Sequence, residues 1–194
     1  MAPRFSICVY CGSRSGGSEA FVRAAREVGH WIGTHGGQLV YGGGHNGLMG
    51  VLAQATLEAG GRVVGIIPEA LVVREWAKLD CTELHVVDTM HARKRMMAER
   101  ADAFLALPGG IGTFEELFEV WAWRQLGYHE KPLGLLDVEG YYRPLLSFLE
   151  SAVGQGFMSE WQMGLLRVQA DAPALLRALV QEAGLTPPPD LSRI

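Results

Sequence analysis

At 194 residues and 48% hydrophobic content, the chain is long enough for one well-buried core and too short for two ordinary domains. A net charge of −4 leaves no basic footprint, which excludes a protein built to coat nucleic acid. No apolar run of about 18 residues and no signal-peptide pattern occurs, so the expectation is a cytoplasmic chain without membrane association.

Apolar strand-like runs alternate with helix-like segments throughout, the pattern of a parallel sheet covered on both faces. Ser6–Tyr10 reads as the first strand and Ser18–Thr34 as the helix after it. Gln38–Tyr41, Arg62–Ile67, His85–Val87, Ala103–Leu107, Pro132–Leu136 and Leu166–Gln169 read as further strands. Helices are expected at Leu48–Ala59, Met90–Ala101, Thr113–Leu126, Tyr142–Val153 and Ala172–Glu182. The order predicts an α/β fold, a single-domain Rossmann-like doubly wound parallel sheet over residues 1–185 that binds a nucleotide. Thr186-Pro187-Pro188-Pro189-Asp190 cannot continue a helix, so 186–194 is expected to be a loose tail.

Three glycine-rich turns each follow a strand: Gly12–Gly17, Gly42–Gly47 and Pro108–Gly112. In open parallel sheets ligands bind beyond the carboxyl ends of the strands, near the point where strand order reverses. The third turn is the most informative. Pro108-Gly109-Gly110-Ile111-Gly112-Thr113-Phe114-Glu115-Glu116 leaves a buried-looking strand and opens a helix. Its amides point outward together, the helix dipole favours an anion, and glycine lets that anion approach the backbone. The turn fits neither the dinucleotide G-x-G-x-x-G, which belongs after a first strand, nor a P-loop, which ends in Gly-Lys-Ser/Thr.

Cys8-Val9-Tyr10-Cys11 spells C-x-x-C, but within a strand residues three apart point to opposite faces. Both are expected to be core residues. The six histidines show no H-E-x-x-H or Cys/His finger spacing, so no metal is expected. On the helix from Met90, positions 90, 93, 94, 97 and 101 share a face, which sets Arg93 and Lys94 at the margin of an apolar stripe. Arg95 and Arg100 are expected to extend to solvent. Thr113 and Glu116 have the spacing of a capping box, a purely structural role for that acid. A carboxylate one turn from a phosphate-binding loop is also close enough to a bound ligand to act on it.

The loop resembles the P-G-G-x-G-T-x-x-E signature of the LOG family, cytokinin riboside 5′-monophosphate phosphoribohydrolases. The resemblance extends to Met90-His91-Ala92-Arg93-Lys94-Arg95-Met96-Met97, Tyr41-Gly42-Gly43-Gly44, Gly47-Leu48-Met49-Gly50 and Gly65-Ile66-Ile67-Pro68. It implies hydrolysis of the N-glycosidic bond of nucleoside 5′-monophosphates, AMP included, to free base and ribose 5-phosphate, with no cofactor. It assigns catalysis to Arg93 and Glu116, the acid either attacking the anomeric carbon or activating a water. Gly109, Gly110, Ile111, Gly112, Thr113 and Lys94 would hold the phosphate, Glu115 the ribose hydroxyls, and Glu75 the base or ribose. A homodimer is implied as well, consistent with the apolar character of Leu117, Phe118, Val120, Trp121, Ala122, Trp123 and Leu126. Met49, Met97 and Trp121 are candidates for an apolar cleft around a prenylated base, or plain core.

Three other readings compete. Related Rossmann-like proteins with a similar loop carry a nucleotide-linked molybdenum cofactor without catalysis, but a carrier needs no Arg93 and Glu116 pair. A lysine decarboxylase needs a Schiff-base lysine and an acidic partner for its cofactor, and Lys78, Lys94 and Lys131 have no recognisable setting of that kind. A nicotinamide-dependent oxidoreductase is disfavoured by the first turn, Cys11-Gly12-Ser13-Arg14-Ser15-Gly16, which lacks the fingerprint spacing.

Overall fold

Strands that are apolar at nearly every position need cover on both faces, and the computed structural model, which describes residues 2–73 and 76–185, supplies it. Strands β1 (Ser6–Tyr10), β2 (Gln38–Tyr41), β3 (Arg62–Pro68), β4 (Glu83–Val87), β5 (Ala103–Ala106), β6 (Leu133–Leu136) and β7 (Leu166–Gln169) form one sheet. Its order is β4-β3-β2-β1-β5-β6-β7, and every neighbouring pair is parallel. The connections carry α1 (Glu19–Thr34), α2 (Gly47–Glu58), α3 (Glu69–Val72), α4 (Met90–Glu99), α5 (Ile111–Gln125), α6 (Arg143–Gly154), α7 (Glu160–Gly164) and α8 (Ala172–Glu182).

The period of two divides the core. Ile7, Val9, Leu39 and Val63 join α1, α2 and α8 on one face. Cys8, Tyr10, Val40 and Val64 join α4, α5 and α6 on the other. Cys8 and Cys11 therefore lie in different cores, each buried and unpaired, as the strand geometry predicts. The chain runs outward from β1 through β2, β3 and β4, then crosses back to β5 on the other side of β1. The strand order thus reverses between β1 and β5, where the first and third glycine turns emerge.

Helix boundaries differ from expectation in one place that matters. α5 starts at Ile111 with Gly110 as its N-cap, and no side chain caps it. Thr113 is already inside the first turn, so the Thr113–Glu116 capping box does not form. The two small helices α3 and α7 were not expected, although Ser159 and Gln162 form a reciprocal capping box at the start of α7. The proposed tail, 186–194, lies outside the described residues.

Candidate functional site

The cleft between the turns after β1 and β5 has a volume of about 580 Å³. Gly12, Arg14 and Ser15 line one wall, and Gly109, Ile111 and Gly112 the other. The two turns are joined directly, since the Gly12 amide donates to the Pro108 carbonyl at 3.1 Å. The first-turn amides of Ile111, Gly112 and Thr113 precede any carbonyl that could accept from them within α5, which leaves them for an anion. Ile111 is 84% exposed, so the mouth of this helix is open to solvent.

Close approach explains the glycine at 109. A Cβ there would stand 2.1 Å from the Thr113 hydroxyl oxygen and 3.0 Å from the Gly12 amide nitrogen. Thr113 is 4% exposed, so its hydroxyl braces the turn from inside. From the far wall, Tyr141 donates to the Gly109 carbonyl at 2.6 Å and Tyr142 to the Leu107 carbonyl at 2.7 Å. Tyr141 also packs edge-on against Phe21 at a centroid distance of 5.5 Å.

The second turn, Gly42–Gly47, does not line this cleft. Its last residue supports the first turn from behind, where a Cβ on Gly47 would strike the backbone of Ser13 and Arg14, and the Leu48 amide donates to the Gly12 carbonyl at 3.0 Å. Its first residue receives Arg93. That side chain is 5% exposed, with Nε donating to the Ile66 carbonyl at 3.1 Å and one terminal nitrogen to the Gly42 carbonyl at 2.8 Å. The guanidinium is thereby fixed at the carboxyl ends of β2 and β3.

Glu116 is half-buried on α5. Burial pushes the Cys8 thiol well up; the Glu116 charge raises it further, whereas the Arg93 charge lowers it. The buried hydroxyl of Tyr10 and the thiol of Cys11 are likewise raised by burial, and Glu116 adds to both.

The remaining candidates are placed differently from expectation. Lys94 does not line the glycine cleft: its ammonium bonds Glu115 at 2.6 Å and Glu119 at 2.9 Å, and it borders a second cleft of about 410 Å³ with Thr89 and Trp123. Burial opposes its charge, but the bonds to Glu115 and Glu119 outweigh burial and hold its pKa above the ordinary lysine range. Glu115 is thus turned toward Lys94. Glu75 lies outside the described residues. Arg95 extends to solvent as expected, at 76% side-chain exposure, whereas Arg100 pairs with Glu83 at 3.0 Å. Met49 belongs to one core, and Met97 and Trp121 to the other, so these three cannot enclose a prenyl group together. Arg14, exposed in the cleft wall, was not singled out by sequence; a cation between glycines and serines carries no periodic signal.

No group of three or more His, Cys, Asp or Glu among the described residues could hold a metal ion, and no helix among them is long and apolar enough to cross a membrane. Each lysine ammonium is committed: Lys78 to Gln54 and Asp80, Lys94 to its two glutamates, and Lys131 to the Ala98 carbonyl. None is placed as a Schiff-base lysine with a pyridine-nitrogen partner.

A family model described as possible lysine decarboxylase matches residues 49–179. The chain is 48% identical over 173 residues to cytokinin riboside 5′-monophosphate phosphoribohydrolase LOG2 of Arabidopsis thaliana, covering 89% of this chain and 81% of that protein. It is 51% identical over 154 residues to the phosphoribohydrolase LOG of Oryza sativa subsp. japonica, covering 79% and 64%. Among solved structures it is similar to the molybdenum cofactor carrier protein of Chlamydomonas reinhardtii, with a TM-score of 0.70 and 25% identity, covering 95% of this chain and 99% of that one.

Proposed function

The chain belongs to the LOG family of cytokinin riboside 5′-monophosphate phosphoribohydrolases, and from that footing we propose that it hydrolyses the N-glycosidic bond of nucleoside 5′-monophosphates. The products are a free base and ribose 5-phosphate. The observation that carries this reading is the cleft built from two glycine turns, with the uncapped N-terminus of α5 opening onto it one turn before Glu116.

The roles follow from charge. The 5′-phosphate sits on the amides of Ile111, Gly112 and Thr113, beside Gly109 and Gly110, with the exposed Arg14 guanidinium as its counter-charge. Binding energy from this non-reacting end positions the sugar. As the bond from C1′ to the base nitrogen breaks, its electron pair leaves with the base and positive charge builds at C1′. Glu116 supplies the opposing charge and takes the proton of the water whose oxygen bonds to C1′. Arg93 cannot give up a proton, so it acts by holding the ribose or the departing base. The base nitrogen is protonated from solvent.

The molybdenum-cofactor carrier reading rests on the structural likeness alone, at 25% identity, against 48% for an enzyme, and a carrier does not require the acid and guanidinium pair. We also take residues 1–185 as one nucleotide-binding domain, cytoplasmic and homodimeric. In α5, Leu117, Val120 and Trp121 are covered within the chain, while Leu126 at its end is 65% exposed and nearby Tyr128 76%, apolar area that a second copy would cover.

The test is direct. Incubated with AMP or isopentenyladenosine monophosphate, the protein releases free base, detected chromatographically, and the ratio of the two rates gives the base preference. Binding of either nucleotide without base release would reject the hydrolase and favour the carrier.

A further inference from the structure

Resting on the hydrolase reading, we propose that the glycine cleft also holds a second group on the substrate phosphate, an aromatic alcohol in ester linkage, so that nucleoside 5′-phosphodiesters are substrates alongside the monophosphates. Topology sets the argument. Along the carboxyl edge of the sheet the strands run β3, β2, β1, β5, β6. Arg93 is held by the carbonyls of Ile66 in β3 and Gly42 after β2, the anion end lies between the turns after β1 and β5, and Tyr141 follows β6. The nucleoside therefore leads from the phosphate toward Arg93, and the β6 side of the phosphate faces away from it.

That side is roomy and apolar. At ~30 Å³ per heavy atom, the share of a liquid water, the five heavy atoms of a phosphate take about 150 Å³. The cleft has about 580 Å³, so roughly 400 Å³ is left over. Phe21 and Tyr141 wall this remainder, their rings meeting edge-on at 5.5 Å, with Tyr141 39% exposed. The wall is built in advance. Tyr141 is tied to the Gly109 carbonyl at 2.6 Å, and two residues before it Glu139 accepts from the hydroxyl of Ser18, the N-cap of α1, at 2.8 Å. Helix α1 carries Phe21, so that bond joins the segments that present the two rings. An aryl ester offers a ring to pack on this pair, and its remaining negative charge still meets the amides of the α5 N-terminus and the Arg14 guanidinium. The chemistry is unchanged: the oxygen of water bonds to C1′, the bond from C1′ to the base nitrogen breaks with its electron pair leaving on the base, and the second product is the ribose 5-phosphate ester.

The experiment follows adenine and the sugar product chromatographically for AMP, its phosphate methyl ester and its phosphate phenyl ester, with the wild type and Phe21→Ala. The two esters carry the same charge and differ by the ring. We expect the wild type to release adenine from both with the ribose 5-phosphate ester intact, and kcat/KM for the phenyl ester to be about tenfold that for the methyl ester. Phe21→Ala brings this ratio below about threefold. Each ratio is taken within one protein, so a general loss of activity does not disturb it, and if Phe21→Ala does not fold, the wild-type ratio decides alone. AMP cleaved with both esters refused overturns the proposal and leaves the hydrolase reading standing. A wild-type ratio near one, a ratio that survives Phe21→Ala, or adenine that comes from the phenyl ester only together with phenol likewise overturns it. Adenine released from none of the three rejects the hydrolase reading itself, and this inference with it.

Discussion

Gly42→Ala isolates the contribution of the Arg93 position without touching Arg93. A Cβ on Gly42 would stand 2.0 Å from a terminal guanidinium nitrogen and 3.0 Å from the guanidinium carbon. Gly42 is not among the residues with positive φ, so alanine fits the backbone and the clash is the whole perturbation. To regain van der Waals contact the guanidinium retreats by roughly 1.5 Å, which breaks its 2.8 Å bond to the Gly42 carbonyl. A lost hydrogen bond from a charged donor costs about 2 kcal/mol, or about 4–8 °C in Tm for a chain of this size. The displacement exceeds the ~1 Å that costs about 100-fold in rate, so kcat for AMP falls at least about 100-fold, about 2.7 kcal/mol on the barrier. The assay is base release by Gly42→Ala, Arg93→Ala and the double variant. Because the glycine acts through the arginine, the double variant is no slower than Arg93→Ala alone. A Gly42→Ala protein within about threefold of wild-type kcat, or a double variant whose losses multiply, would refute the reasoning.

Glu116→Gln keeps the shape and removes the charge; kcat drops about 10²–10⁴-fold while ribose 5-phosphate binding holds, and a weakened Kd would instead assign the residue to binding. Tyr141→Phe loses the 2.6 Å bond to the Gly109 carbonyl, worth about 1 kcal/mol, so ribose 5-phosphate binds about fivefold more weakly with kcat little changed; the reverse split would detach Tyr141 from the phosphate end. His129 accepts the Lys131 amide at Nδ1 and so donates from Nε2 to the Val120 carbonyl, a neutral tautomer that burial favours by lowering its pKa below 6.5, helped by the charges of Lys131 and Arg124. The unfolded chain then takes the proton first, so the stability His129 contributes is complete above about pH 6.5 and is lost as pH falls through that value toward the lower folded pKa. Thermal unfolding of His129→Gln should show a shallower decline in Tm between about pH 7 and pH 5.5 than the wild type, and parallel curves would rule the histidine out.

The strands were legible because a parallel sheet buried on both faces writes itself as uninterrupted apolar runs, and Ala103–Ala106 is such a run. The first and third glycine turns meet at the strand reversal as topology dictates, since parallel strands send all their carboxyl ends to one edge, but the second, expected to share one pocket with them, only supports the first turn from behind. Thr113 misled because a glycine-rich turn after a proline looks like loop, whereas these glycines already belong to the helix start. Helices α3 and α7 span four and five residues, too few for any period to show. Lys94 shows the harder limit. Its place beside Arg93 was visible, but its partners are 21 and 25 residues away, and nothing local says which flank of α5 a neighbouring helix will meet. Arg14 is legible only once the fold sets its turn opposite α5.

Because β1 separates β5 from β2, the anion end and the guanidinium are two inter-strand steps apart, about 10 Å. On the proposed function, that span works as a gauge. A nucleoside without its phosphate cannot reach the Gly109 turn and keep its sugar at Arg93, and a nucleoside triphosphate seated by its last phosphate would carry its sugar beyond the guanidinium. Selection for a single phosphate then follows from the spacing of the strands themselves, and no side chain has to count charges.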